Sequence, residues 1–126
     1  MAIVFDTYAW VEYFDGTKKG GIVGKYLEEE EVITPSIVLL ELSYKSDKEG
    51  WDFNKYLNFI KTNSKIIGVN EKFILTFGRA YNNIKKQVKN IGITDIIIIH
   101  TAEMNDAKIL TGDEHFEKTG KAIVLK

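Results

Sequence analysis

The chain contains no cysteine and a single proline. The first absence excludes disulfides, thiolate metal sites and thiol nucleophiles. Histidine is scarce, with only His100 and His115, too few for a histidine-rich zinc site. Any metal held here would need oxygen ligands, and these select a hard cation. Long apolar runs are also missing, and a stretch such as Ile96–Ile99 is too short to span a bilayer. No basic leader followed by a long apolar segment opens the chain. We therefore expect no signal peptide, no membrane association and a cytoplasmic location. Excess positive charge is lacking as well. Seventeen Lys and Arg face 18 Asp and Glu, so the net charge of −1 supplies no global basic field for nucleic acid. Arg79 is the only arginine, which leaves one candidate at most for bidentate phosphate recognition.

What is present has globular composition. The 126 residues are 44% hydrophobic and 28% charged, enough for one core but hardly two. With no repeat, low-complexity tract or long linker, we expect a single domain over residues 1–126.

Strand-like and helix-like stretches alternate. Ala2–Phe5 reads as a buried strand and Thr7–Phe14 as a helix ended near Gly16. A second helix is expected from about Ile22 to Glu30, weakened by Gly24, with Lys18 and Lys19 in a Gly-rich loop before it. Val32 and Ile33 form a short strand. Thr34-Pro35 then reads as a helix start, Thr as the cap and Pro in the first helical position. Asp52–Lys61 carries Phe53, Tyr56, Leu57 and Ile60 at helical spacing. Lys65–Val69 reads as a strand. Asn70 to about Lys89 reads as a long helix with Phe73, Ile74, Phe77, Tyr81 and Ile84 on one stripe.

Asp95–Asn105 is ambiguous. Its four isoleucines favour a strand, whereas Thr94 as a cap and the Ala-Glu-Met ending favour a helix. Lys108–Thr111 reads as a strand, Glu114–Lys118 as a helical turn and Ala122–Leu125 as a last strand. The alternation predicts an α/β fold with a parallel sheet covered on both faces.

Three acids stand at strand ends and helix starts: Asp6, Asp95 and Asp113. Each is open to a structural reading. Asp6 and Asp113 can cap helices, and Asp95 suits the positive end of a helix dipole. Glu41 is different. It sits inside the apolar run Ile37–Leu42, where no cap role exists. Burying it alone would cost several kcal/mol, so it needs either a wet face or a polar pocket. If all four acids converge, their like charges resist joint ionisation. A divalent cation resolves this, and carboxylate and water ligands select Mg²⁺ or Mn²⁺. Such a site suits phosphodiester cleavage. Among the bases, Lys85, Lys86 and Lys89 follow Arg79 on the predicted long helix. They can contact phosphates or form an ordinary solvated face.

Four segments stand in order over nearly the whole chain. They are Ile3-Val4-Phe5-Asp6-Thr7, then Thr34-Pro35 through Glu41-Leu42, then Thr94-Asp95 with Thr101-Ala102, then Ile109-Leu110-Thr111-Gly112-Asp113-Glu114-His115-Phe116. In these the sequence resembles the PIN-domain family, and within it the VapC-like ribonuclease toxins of toxin–antitoxin pairs. The resemblance implies a three-layer α/β/α fold with a central, mostly parallel sheet of about five strands, and a helix beginning at Asp95. It implies metal-dependent endonucleolytic cleavage of RNA with Mg²⁺ or Mn²⁺. Asp6, Glu41, Asp95 and Asp113 match the family's acidic metal site, and Thr7 and Thr111 match flanking polar positions. A small VapB-like antitoxin and a homodimer are the implied partners.

Three positions depart from the pattern. Tyr8 stands where a small hydroxyl residue is common, Gly112 where a basic residue is frequent, and His115 where many members carry another Asp. A haloacid-dehalogenase-like phosphatase also opens with a strand ending in Asp. It needs a second acid two positions on, and that position here is Tyr8. A housekeeping RNA-processing nuclease and a catalytically silent PIN-like binding module remain as alternatives within the fold.

Overall fold

Ile3, Val4 and Phe5 are wholly buried, and they form the middle strand of the molecule. The computed structural model describes residues 1–126. In chain order the elements are β1 (Ala2–Phe5), α1 (Thr7–Asp15), α2 (Lys18–Glu29), β2 (Glu31–Pro35), α3 (Ser36–Glu49) and α4 (Phe53–Asn63). There follow β3 (Lys65–Ile67), α5 (Glu71–Gln87), α6 (Ile93–Met104), β4 (Lys108–Thr111), a 3₁₀ turn (Glu114–Thr119) and β5 (Ala122–Val124). The five strands make one sheet in the order β3-β2-β1-β4-β5, with helices flanking it. All four pairings are parallel, as buried strands joined by helical crossovers require. The expected α/β architecture is therefore present, and the sheet is parallel throughout.

The strand order places the site. From β1 the chain adds β2 and β3 on one side, then returns to add β4 and β5 on the other. The reversal leaves a crevice beyond the carboxyl ends of β1 and β4, where ligands bind in open α/β sheets. Phe5 pairs with Leu110 in register, and the Asp6 N–H donates to the Leu110 carbonyl at 3.3 Å. Asp6 and Thr111 are thus neighbours across the sheet, although 105 positions apart in the chain's numbering would suggest otherwise.

Three local expectations are corrected. The strand β2 runs on through Thr34 and Pro35, which pair with Ile66 and Ile67, and α3 starts only at Ser36. Thr34 is held in the sheet by its side chain. Its hydroxyl accepts a hydrogen bond from buried Trp10 Nε1 at 3.1 Å and shares another with Ser64 at 2.8 Å. The helix α2 begins at Lys18, capped by Thr17, so Lys18 and Lys19 lie on its first turn and not in a loop. Glycine is unfavourable within a helix, but here close packing overrides propensity. A methyl group on Gly20 would overlap the Glu12 carbonyl of α1. Finally, α6 begins after Gly92, so Thr94 lies inside its first turn and caps nothing.

The ambiguous isoleucines belong to α6. Ile96, Ile98 and Ile99 are all buried, which a helix achieves only when packed on several sides. Smaller differences concern edges. Strand β3 stops at Ile67, and Ile74 is 63% exposed instead of joining the buried stripe of α5. No helix is long and apolar enough to cross a membrane.

Candidate active site

Four elements deliver the four acids to one open cavity of about 800 Å³, lined by Asp6, Glu41, Asp95 and Asp113. Asp6 ends β1 and caps α1, its Oδ1 accepting the Ala9 N–H at 2.8 Å. The structural reading of Asp6 is therefore correct, and it does not remove the residue from the cavity. Thr7 follows and donates its hydroxyl to Glu41 Oε1 at 2.7 Å. That bond orients the half-buried Glu41 of α3, the one acid that no cap explains. Asp95 lies in the first turn of α6. Asp113 follows β4 and caps the 3₁₀ turn, its Oδ1 accepting from the His115 N–H at 2.9 Å. His115 Nδ1 lies 2.8 Å from the same oxygen. Thr111 is wholly buried behind the cavity and accepts the Asp113 N–H at 3.0 Å, which fixes the turn.

The electrostatics are those of crowded like charges. Burial pushes the Asp6 carboxyl up to about 7, and the nearby Asp95 and Glu41 carboxylates push the same way, against the Thr111 hydroxyl and the Ala9 N–H. Burial likewise raises Asp95 to about 6, with Asp113 and Glu41 adding to it and His115 opposing. No Lys or Arg forms an ion pair with any of the four acids; the only partner of this kind is His115 on Asp113.

A family model, the PIN domain, matches residues 3–122. The chain belongs to the PIN-domain family. Solved structures agree on the fold. A chain of VapBC2 from Rickettsia felis, determined with a DNA fragment from the promoter, superposes with a TM-score of 0.77 at 20% identity, covering 98% of this chain and 97% of that one. VapBC-1 from nontypeable Haemophilus influenzae gives 0.72 at 20% identity over 99% and 98% of the two chains. VapC20 from Mycobacterium tuberculosis, a toxin that cleaves the sarcin–ricin loop, gives 0.72 at 14% identity over 98% and 99%. No curated protein sequence matches the chain.

For a PIN domain, the donor chemistry of this cavity fits a hard divalent cation: four carboxylates, the neighbouring Thr7 hydroxyl and no soft ligand. The side chains are not closed into a cage, since no three acids or histidines gather about one point tightly enough to hold a metal. Like charges resist closer approach on their own.

The basic residues singled out in the sequence lie elsewhere. None of Arg79, Lys85, Lys86 and Lys89 lines the acid cavity. Arg79 borders a separate hollow with Thr76 and His100. Lys85 donates to the Ile91 carbonyl at 2.6 Å, Lys86 is exposed on α5, and Lys89 lies beyond the end of that helix. His100 is packed, with Nε2 at 2.7 Å from Thr76 Oγ1 and its ring edge-on to Phe73 and Phe77.

The cavity instead carries Lys45 and Lys118, along with two further acids, Glu114 and Glu117. Sequence reasoning passed over these four. One signal existed for Lys45, which stands one helical turn after Glu41 and so shares its face.

Proposed function

We propose that this PIN domain is a metal-dependent endoribonuclease that hydrolyses RNA phosphodiesters at Asp6, Glu41, Asp95 and Asp113. The observation that carries this reading is the convergence of four carboxylates on one open cavity with no Lys or Arg in ion-pair contact with any of them. A fold seeking only stability would pair or exclude such charges, because a carboxylate as buried as Asp6 costs several kcal/mol. Bound Mg²⁺ or Mn²⁺ would supply an activated water and charge relief at the phosphate.

The chain's own residues do the rest. Thr7 holds Glu41 through Oε1 and spares Oε2 for the cavity chemistry. His115 and the turn after β4 fix Asp113 through Oδ1. Thr111 sets the backbone of that turn. Lys45 and Lys118, which line the same cavity, would answer the charge of an RNA backbone.

The biological role that fits is the toxin of a VapBC-type pair, restrained by a small VapB-like antitoxin. The likeness to chains from VapBC structures across almost the full length of each supports this. We further assign residues 1–126 to one domain acting in the cytoplasm, with a homodimer as its assembly. The family match over residues 3–122 and the single sheet support the first of these.

The decisive experiment measures cleavage of a labelled RNA with added Mg²⁺ or Mn²⁺. Activity is expected with the cation and lost in Asp6→Asn and Asp95→Asn. Full cleavage by either variant, or in excess chelator, overturns the proposal. A neighbouring reading frame for a small DNA-binding protein, whose product silences cleavage, separates a toxin from a housekeeping nuclease.

A further inference from the structure

Tyr8 and Gly112, two departures from the family pattern, are one structural feature. A methyl group built on Gly112 would overlap Cδ1, Cε1 and Cζ of the Tyr8 ring. No larger residue fits at 112 while Tyr8 keeps this position. One face of the ring therefore rests on the Gly112 backbone, directly before Asp113. Tyr8 is nonetheless 36% exposed, and both residues line the cavity of the four acids.

A cation is fixed to this ring. Lys19 Nζ donates to the Tyr8 hydroxyl at 3.0 Å and lies 5.6 Å from the ring centre. Those two distances place the ammonium beyond the hydroxyl, in line with the C–O bond and above neither face. Its position depends on α2 starting at Lys18 and packing closely on α1 through Gly20. The ring thus has one face on Gly112, an ammonium at its tip and a part-exposed remainder within the cavity lining.

A part-exposed aromatic ring beside a cation suits an unpaired nucleotide. Every base offers a π-face for stacking, and the ammonium answers the adjoining phosphate. A ring serving only to fill space above Gly112 would be buried. We propose that Tyr8 is a substrate-positioning residue that stacks on an unpaired RNA base beside the cleaved phosphodiester, with Lys19 held at its hydroxyl to contact a neighbouring phosphate. This rests on the ribonuclease reading above and adds to it the residue that receives an unpaired base. Bases within a duplex already have both faces stacked on neighbours and present none to Tyr8.

The test compares steady-state cleavage of a single-stranded RNA and of the same sequence in a duplex, alongside binding of a 2-aminopurine-labelled single strand. Tyr8→Ser is expected to raise KM about tenfold with kcat much less affected, and Tyr8→Phe to recover most of the lost affinity. On Asp6→Asn protein, expected to bind RNA without cutting it, the 2-aminopurine fluorescence is expected to be quenched. The quench disappears when Tyr8→Ser is added. Gly112→Ala is expected to raise KM beside Tyr8 and to have little further effect beside Tyr8→Ser, because the ring it displaces is gone. Wild-type KM in a cleaving Tyr8→Ser protein, or equal cleavage of duplex and single strand, overturns this proposal and leaves the ribonuclease reading standing. Absence of any RNA cleavage by the wild-type chain with Mg²⁺ or Mn²⁺ overturns both.

Discussion

Two polar sets reach α1 and differ in kind. In one, Trp10 Nε1 donates to Thr34 at 3.1 Å, and Thr34 shares a hydrogen bond with Ser64 at 2.8 Å. Ser64 in turn donates to the Ile60 carbonyl at 2.8 Å, so the chain of partners ends on backbone. All of these groups are neutral. In the other, four residues along, Asp6 shares a cavity with Glu41, Asp95 and Asp113, and burial and repulsion raise Asp6 and Asp95. The first set satisfies its donors and acceptors and stabilises the fold. The second crowds like charges, and burial there opposes the ionised form of Asp6 and Asp95. A polar group that costs stability and is kept at a strand end is a mark of chemistry, whereas a fully partnered one is a mark of architecture.

Asp6→Asn tests this contrast most severely. We expect RNA cleavage to fall at least about a thousandfold, the equivalent of roughly 4 kcal/mol of lost transition-state stabilisation. Metal-free stability should move the other way. Asp6 and Asp95 are pushed up to about 7 and about 6, so between about pH 4 and 7 the folded chain binds more protons than the unfolded one. Wild-type stability therefore falls as pH rises through that window and levels above it. Asp6→Asn should lose about half of this slope below pH 6 and the rest between pH 6 and 7, and exceed the metal-free wild type above pH 7 by on the order of 4 kcal/mol. Denaturant titrations at several pH values read both effects, and a variant less stable than wild type at high pH would break the contrast.

Thr34→Val is the mirror experiment. It strands the buried Trp10 N–H, and a loss of about 1–3 kcal/mol in unfolding free energy is expected. Cleavage per folded molecule should hold at the wild-type rate. A Thr34→Val chain that keeps its stability but loses activity would show that the two sets are not separable.

Thr7→Val falls between them, since it joins architecture to chemistry by orienting Glu41. About a tenfold fall in cleavage is expected, as for other residues that orient a ligand from behind. Stability should change little, and an unaltered rate would remove Thr7 from the site.

The smallest effects concern the bases. Lys45→Gln and Lys118→Gln should each flatten the dependence of RNA affinity on log salt by about 0.7. Matching variants of Arg79, Lys86 and Lys89, which lie off the cavity, should leave that slope unchanged. The reverse outcome would move the RNA path onto α5.

The elements were legible where a local cause was strong. Buried runs such as Ile3–Phe5 announced strands, and Asp52 and Asn70 announced helix starts that the structure confirms through cap bonds to Lys55 and Phe73. Misreadings arose where a distant partner outweighed the local preference. Thr34 looks like a cap until Trp10 and Ser64 claim its hydroxyl. The glycines of α2 look like a loop until Gly20 meets Glu12. The isoleucines of α6 fit either period until both flanks are covered. Lys45 and Lys118 carried no warning of equal strength, because a lysine on a polar stretch is the commonest surface residue and only the cavity distinguishes them.

By itself the sequence determined the class of fold, excluded thiolate ligands and marked four acids as candidates. Composition limits what a chain can bind, and the period of apolar residues follows directly from helix and strand geometry. Only the tertiary structure decided which charges meet. The reversal of strand order beside β1 brings Asp6 to Thr111, the α1–α2 contact carries Lys19 to Tyr8, and the bare Gly112 makes room for that ring. Such meetings depend on through-space packing between distant segments, and no local propensity encodes them.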